Sequence, residues 1–239
     1  MDWLHGITPV EEALRANRRE IRELLVRRGT ESDRVGGLRD LAHERGVSVI
    51  DYDRVEFDRR LRGQNHQGVA LNCGALPVHG FRELLDGPAE GVVLALDQVE
   101  DPHNFGAMVR TAAFLGARAV LVHRTKRAPI SASVSKASAG AIEFFDLFEC
   151  GNLADALQRF EKAGWRIIGS ALDETAAPLS GIAPGGPSIL VMGNEGRGLR
   201  PLTMKRCTDL VMIPRRGQAE SLNVSVATGI LLSHLLSSD

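Results

Sequence analysis

Apolar and polar positions change rhythm along the chain. Over residues 1–73 short apolar runs alternate with amphipathic stretches. Thr8-Pro9-Val10-Glu11 places Thr at an N-cap, Pro at the first helical position and Glu three residues after the Thr. That order predicts a capping box and a helix over 9–17. Residues 21–26 read as a strand, Ser32 caps a helix ending near Arg45, and Gly46 stops it. Strands follow at 47–50 and 68–71, with a short helix capped by Asp53 between them. The pattern is that of a small α/β module. Residues 74–90, with Gly74, Pro77, Gly80, Gly87 and Pro88, shift in composition and read as a linker with a helical piece near Phe81.

From Gly91 the scale is larger. Residues 91–96 are continuously apolar, as in a strand buried on both faces of a parallel sheet. Strands at 119–122, 145–148, 165–168, 188–192 and 209–213 alternate with helices at about 104–116, 131–140 and 152–163. An apolar helix over about 221–236 ends the chain. Strand–helix alternation predicts an α/β, doubly wound parallel sheet over 91–239.

Composition narrows the function class. The 239 residues carry a net charge of −1, which argues against coating nucleic acid by bulk charge. The distribution is uneven: residues 1–72 hold thirteen basic residues, every one an arginine, against thirteen acids. Arginine's planar fork suits phosphate and stacks on bases. These arginines are either solvated helix faces with i,i+4 partners such as Glu23 and Arg27, or RNA contacts. Three cysteines cannot build a disulfide framework, and none has a partner at zinc-finger spacing. A metal site is not expected. The chain opens without a signal-peptide pattern and has no apolar run of membrane-spanning length, so a cytoplasmic protein without membrane contact is expected.

Three segments at predicted strand carboxyl ends carry unusual chemistry. Ligands of open α/β sheets bind at such ends. The first is Asp97 to Gly106, leading to Arg110; there Asn104 could be a helix cap, and Arg110 could belong to an ion pair between helices. The second is Gly193-Asn194-Glu195-Gly196-Arg197-Gly198, whose glycines permit close backbone approach. Its glycine order is neither a dinucleotide fingerprint nor a P-loop. The third is Ile213 to Ser225, a polar loop entering the apolar helix, where Ser221 could be the N-cap and Asn223 and Ser225 would be polar residues within the helix.

Asn104-Phe105-Gly106-Ala107…Arg110-Thr111-Ala112, Gly193 through Leu199, and Ile213-Pro214…Glu220-Ser221-Leu222-Asn223-Val224-Ser225 together resemble the three motifs of the SpoU (TrmH) branch of SPOUT RNA methyltransferases. The front module, with His5-Gly6 and His66-Gln67-Gly68, resembles that family's RNA-binding domain. Two positions depart from the family pattern: Phe105, and the pair Arg215-Arg216 after Pro214, where apolar and small residues are common.

The resemblance implies a knotted (trefoil) SPOUT domain over 91–239 and an RNA-binding domain over 1–73. It implies methyl transfer from S-adenosylmethionine to a ribose 2′-hydroxyl, most closely in a guanosine of 23S rRNA. The alternatives are tRNA ribose methylation and a catalytically silent RNA-binding assembly factor. Arg110, Asn104, Glu195, Ser221 and Asn223 become the catalytic candidates, and Met192, Gly193, Gly196, Ile213 and Leu222 the cofactor-binding ones. A homodimer is expected from the resemblance and from the apolar last helix. Residues from about 90 onward are expected to fold without the front module.

Overall fold

The computed structural model describes residues 2–61 and 63–237. In chain order its elements are β1 (Asp2–His5), α1 (Ile7–Ala16), β2 (Ile21–Arg27), α2 (Asp33–Glu44), β3 (Ser48–Tyr52), α3 (Arg54–Leu61) and β4 (Val69–Cys73). Next come β5 (His79–Gly80), α4 (Phe81–Asp86), β6 (Val92–Leu96), α5 (Pro102–Leu115), β7 (Ala119–His123), α6 (Ala132–Ala137) and β8 (Leu147–Cys150). The chain continues through α7 (Leu153–Lys162), β9 (Arg166–Ser170), β10 (Ala177–Pro178), β11 (Ser188–Met192), α8 (Pro201–Met204), β12 (Asp209–Met212) and α9 (Val224–Leu235). These elements form two compact units, one running to Pro77 and including Pro129–Phe144, the other made of Val78–Ala128 and the chain from Phe145 onward.

The first unit is built on a four-stranded sheet in the order β1-β4-β2-β3, antiparallel except for the β2–β3 pair. Strand β1 was not expected; four residues are too few for a period to register, and pairing with β4 makes the strand. Helix α1 starts at Ile7 with Gly6 at the cap, not at Pro9 with Thr8. The Ile7 amide donates to Gln67 Oε1 at 3.0 Å, so a distant side chain satisfies an orphan N–H and the expected box does not form. Ser32 and Asp53 do cap, each accepting from the backbone amide three residues on. Glu23 and Arg27 lie on β2 and do not pair; Glu23 accepts from Asn72 and Arg27 donates to Thr30.

One interaction dominates this unit. Arg19 Nε donates to Glu143 Oε2 at 2.7 Å and Arg19 Nη2 to Oε1 at 3.0 Å, with both side chains 1% exposed. Ser135 Oγ donates to Glu143 Oε1 at 3.0 Å and Arg19 Nη1 to the Gly74 carbonyl at 3.1 Å. The pair is therefore satisfied by hydrogen bonds, as a buried charge requires. Gly140 nearby has φ +80°, and a Cβ there would come within 2.5 Å of Glu12 Cβ. Residues 129–144, expected within the second domain, thus pack with the first unit.

The second unit carries an eight-stranded, all-parallel sheet in the order β10-β12-β9-β11-β6-β7-β8-β5. Strands β6, β7 and β11 are buried along their whole length, which accounts for their uninterrupted apolar sequences. Leu157, Phe160, Trp165, Ile167 and Ile189 form the centre of one core cluster. The expected linker is largely part of this unit: β5 pairs with β8, and Leu84 of α4 is buried in the core.

Replacing Arg19 with Ala leaves Glu143 buried without its cation. The expected cost is about 3–5 kcal/mol, read by urea unfolding of the first unit through Trp3 fluorescence in a Trp165→Phe background. An unchanged midpoint would show that Glu143 finds another partner or water.

Candidate active site

The site grows from the carboxyl ends of neighbouring parallel strands. Strands β6 and β11 pair in register, Leu96 opposite Met192. The ladder extends one step, with the Asp97 amide donating to the Met192 carbonyl at 2.8 Å. The buried Asp97 carboxylate accepts from the Arg200 amide at 3.0 Å and from Arg200 Nε at 2.7 Å. Asn194 Nδ2 donates to the Gln98 carbonyl at 3.0 Å. The loop after β6 is thereby pinned to the loop after β11.

Helix α5 is capped by Asp101, whose Oδ1 accepts from the His103 amide at 2.7 Å, with Pro102 at the first helical position. Asn104 is consequently not the cap, and its side chain is free to work. Its Nδ2 donates to Glu195 Oε2 at 2.7 Å. Asn223 Nδ2 donates to both Asn104 Oδ1 at 3.0 Å and Glu195 Oε1 at 3.1 Å. Asn223 caps α9: its Oδ1 accepts from the Ser225 amide at 2.9 Å, which leaves its amide nitrogen to face the carboxylate. One carboxylate and two amides therefore tie all three loops together. Asn223 is an exposed cap rather than a residue inside the helix, and Ser221 is not the cap.

The loop after β11 folds back on itself. Asn194 and Gly198 exchange backbone hydrogen bonds of 3.1 and 2.8 Å, and the Gly196 amide donates to Asn194 Oδ1. A Cβ at Gly193 would lie 2.2 Å from the Gly198 carbonyl carbon, so only glycine fits. Beside this loop lies a cavity of about 530 Å³. Leu172, Met192, Leu199, Met204, Met212 and Leu222 are among its apolar lining residues, and Gly193 and Ile213 line it as well. Size and lining suit a cofactor-sized organic ligand. Backbone donors with thioether and aliphatic walls fit an adenosine bearing an aliphatic tail, as S-adenosylmethionine has.

The five cofactor candidates, Met192, Gly193, Gly196, Ile213 and Leu222, all line this cavity. So do Glu195 and Ser221. Asn104 and Asn223 join through Glu195. Arg110 does not join the network: it stands exposed on α5 with no hydrogen bond or ion pair among the described residues. It is a free guanidinium, not the ion-paired helix residue that was one sequence reading. Sequence reasoning missed Ser170, Ala171 and Leu172, which line the cavity from the end of β9. Their only signal was position, at the carboxyl end of a strand adjacent to β11. It also missed the Asp97–Arg200 pair.

Arg166 hydrogen-bonds Asp209 at 2.8 and 3.1 Å and holds that carboxyl below the usual carboxylate range, tying β9 to β12. Burial pushes the Cys207 thiol up to about 12, which removes it from nucleophilic chemistry.

Comparison with known proteins bears on this geometry. Residues 91–233 match the model of the SpoU rRNA Methylase family, and residues 3–78 match that for RNA 2′-O ribose methyltransferase substrate binding. The 23S rRNA (guanosine-2′-O-)-methyltransferase RlmB of Pseudomonas aeruginosa is 39% identical over 238 residues, covering 98% of this chain and 95% of the relative. The protein of the same name from Xanthomonas campestris pv. campestris is 38% identical, covering 96% and 94%. Among solved structures, the AdoMet-bound rRNA methyltransferase from Sinorhizobium meliloti aligns with a TM-score of 0.79 at 26% identity, covering 97% of this chain and 85% of that one.

Gly193→Ala should destabilise the second unit by about 1–3 kcal/mol through overpacking against backbone. Gly196→Ala, where an added Cβ meets only Asn194 Oδ1 at 3.8 Å, should cost far less. Melting temperatures of the two variants test the difference; equal values would mean the loop yields freely at Gly193.

Proposed function

The chain belongs to the SpoU rRNA methylase family, and on that premise we propose that it methylates a ribose 2′-hydroxyl of 23S rRNA, at a guanosine. It is an S-adenosylmethionine-dependent RNA methyltransferase. The observation that carries the reading is the Asn104–Glu195–Asn223 network closing three loops around the 530 Å³ cavity. The bound cofactor supplies an electrophilic methyl group on a sulfonium. The chain must hold a ribose in line with that group and help its hydroxyl lose a proton.

The cavity walls would hold the adenosine: backbone around Gly193, Gly196 and Ile213 would meet its polar edges, with Leu222 and Met192 as the apolar wall. Glu195, with both oxygens engaged by amides, fixes the loops at the reacting side. Ser221, exposed at the cavity edge and without a partner among the described residues, bonds the substrate ribose. Arg110 acts as a cation. A guanidinium stays protonated in proteins, so it positions the phosphate beside the target ribose and stabilises the developing alkoxide, while the hydroxyl proton leaves to water at the exposed mouth of the site.

Two larger features belong to the same reading. The second unit forms a trefoil knot; support comes from β11 lying between β9 and β6, and from α9 returning to pack on α5. The protein is a homodimer. Phe114 on α5 is 88% exposed, and Val226 and Ile230 on α9 are 51% and 39% exposed. They flank the α5–α9 contact at Thr111 and Gly229, and a second copy covers an apolar face of this kind. The front unit captures RNA. Many of its arginines are spent on surface ion pairs, Arg15 and Arg34 on Glu11, Arg39 on Asp51, Arg59 and Arg60 on Glu56. Arg28 makes no side-chain hydrogen bond among the described residues and acts on Asp51 only through its charge, so it is the better RNA contact.

Labelled S-adenosylmethionine with unmodified 23S rRNA and tRNA transcripts tests the activity. Label is expected in one 2′-O-methylguanosine of the rRNA; label only in tRNA, or none, overturns the assignment. Arg110→Ala should keep cofactor affinity and lose roughly 10²–10³ in turnover; near-normal turnover would make Arg110 structural. Ile230→Glu should convert the dimer to a monomer by light scattering, and a wild-type monomer at micromolar concentration would remove the interface.

A further inference from the structure

Three guanidiniums border the cofactor cavity and none has a carboxylate or hydrogen-bond partner among the described residues. Arg197 lies on the loop after β11, and Arg215 and Arg216 on the loop after β12. All three are exposed. Two acids share the rim, Glu220 and Glu195, the latter held by the neutral amides of Asn104 and Asn223, so three cations face two carboxylates. The rim is therefore net positive on a chain whose overall charge is −1.

We propose that Arg197, Arg215 and Arg216 form an anion clamp for RNA phosphates flanking the target nucleotide. The proposal rests on the reading of this cavity as the methyl-donor site. The chemistry argues for phosphate over the cofactor's own carboxylate. S-adenosylmethionine carries a sulfonium, an ammonium and one carboxylate, a net charge of +1, so a rim that is net positive offers it no net attraction. A polyanion reverses that balance. Because the chain is near neutral overall, attraction for RNA must come from local groups not already neutralised. Arginine presents a fork matched to phosphate oxygens, and unpaired side chains bind without first breaking an ion pair. The clamp would seat the strand as the ribose enters, which couples RNA placement to the site of methyl transfer.

The test uses the full chain and the variants R215A/R216A and R197A/R215A/R216A. All three residues are exposed and unpartnered, so folding should survive, and a melting curve checks it. The probe is an unmodified 23S rRNA transcript, bound across a salt series, together with S-adenosylhomocysteine and 5′-methylthioadenosine, which lacks the methionine carboxylate. The expected result for the triple variant is RNA affinity down about tenfold or more and a salt slope shallower by roughly 2, about 0.7 per lost single-strand phosphate contact. Binding of both cofactor analogues should stay within about twofold of wild type, a difference of under about 0.5 kcal/mol. Lysine at the three positions should restore most of the salt slope. Unchanged RNA affinity and slope overturn the clamp. So does weakened S-adenosylhomocysteine binding with methylthioadenosine unaffected, which would assign the arginines to the cofactor carboxylate. Wild-type methyl transfer to the transcript separates the two readings. If the wild type methylates and the variants bind RNA normally, only the clamp fails. If the wild type binds the transcript without methylating it, the enzyme reading fails and the salt slopes still decide the clamp.

Discussion

The in-register parallel pairing of β6 with β11 is the constraint on which the functional half of the molecule rests. Leu96 opposite Met192 makes both strands end at the same level. The residues that follow, Asp97 and Gly193, then start their loops side by side, and the Asp97 amide still bonds the Met192 carbonyl. From there the buried Asp97 can reach Arg200 and Asn194 can reach Gln98. A shift of one residue would turn the side chains of β11 to the opposite faces of the sheet and move its loop out of step. Both strands are wholly buried, so such a slip would also misplace core side chains.

Given that frame, capping decides which polar groups are available. Each helix start needs acceptors for its free amides. At α5, Asp101 meets the need, and at α9 the oxygen of Asn223 does. The first arrangement releases Asn104 entirely. The second uses one end of the Asn223 amide and leaves the other to donate. Glu195 then accepts from both amides, a charge-assisted arrangement stronger than neutral hydrogen bonds. Asn223 thus both caps a helix and joins Asn104 and Glu195 in holding three loops at fixed separation beside an apolar cavity.

The other unit depends on a different kind of contact. Glu143 is far from Arg19 in sequence, yet the two meet with complete burial and bidentate geometry. The segment carrying Glu143 leaves the second unit after Ala128, and the chain rejoins that unit after Phe144. A boundary drawn along the sequence therefore cuts through a structural unit. Removing the front residues would take away Arg19, the cation that Glu143 is buried against.

Much of this was legible in the residues because it follows from local chemistry. Continuous apolar runs meant strands buried on both faces, Ser32, Asp53 and Asn152 marked helix starts, and the glycines at 193, 196 and 198 marked a tight loop. The five cofactor candidates came from the family resemblance; each sits at a strand carboxyl end or in a motif loop, and all five line the cavity. Tertiary structure decided what depends on a distant partner. It moved the α1 cap from Thr8 to Gly6 through Gln67, chose Asp101 over Asn104 and Asn223 over Ser221, and paired Arg19 with Glu143. It also brought in Ser170 to Leu172, whose sequence has no distinguishing chemistry. Propensity and periodicity act over a few residues, whereas a hydrogen bond or ion pair between residues a hundred apart exists only once the chain has folded.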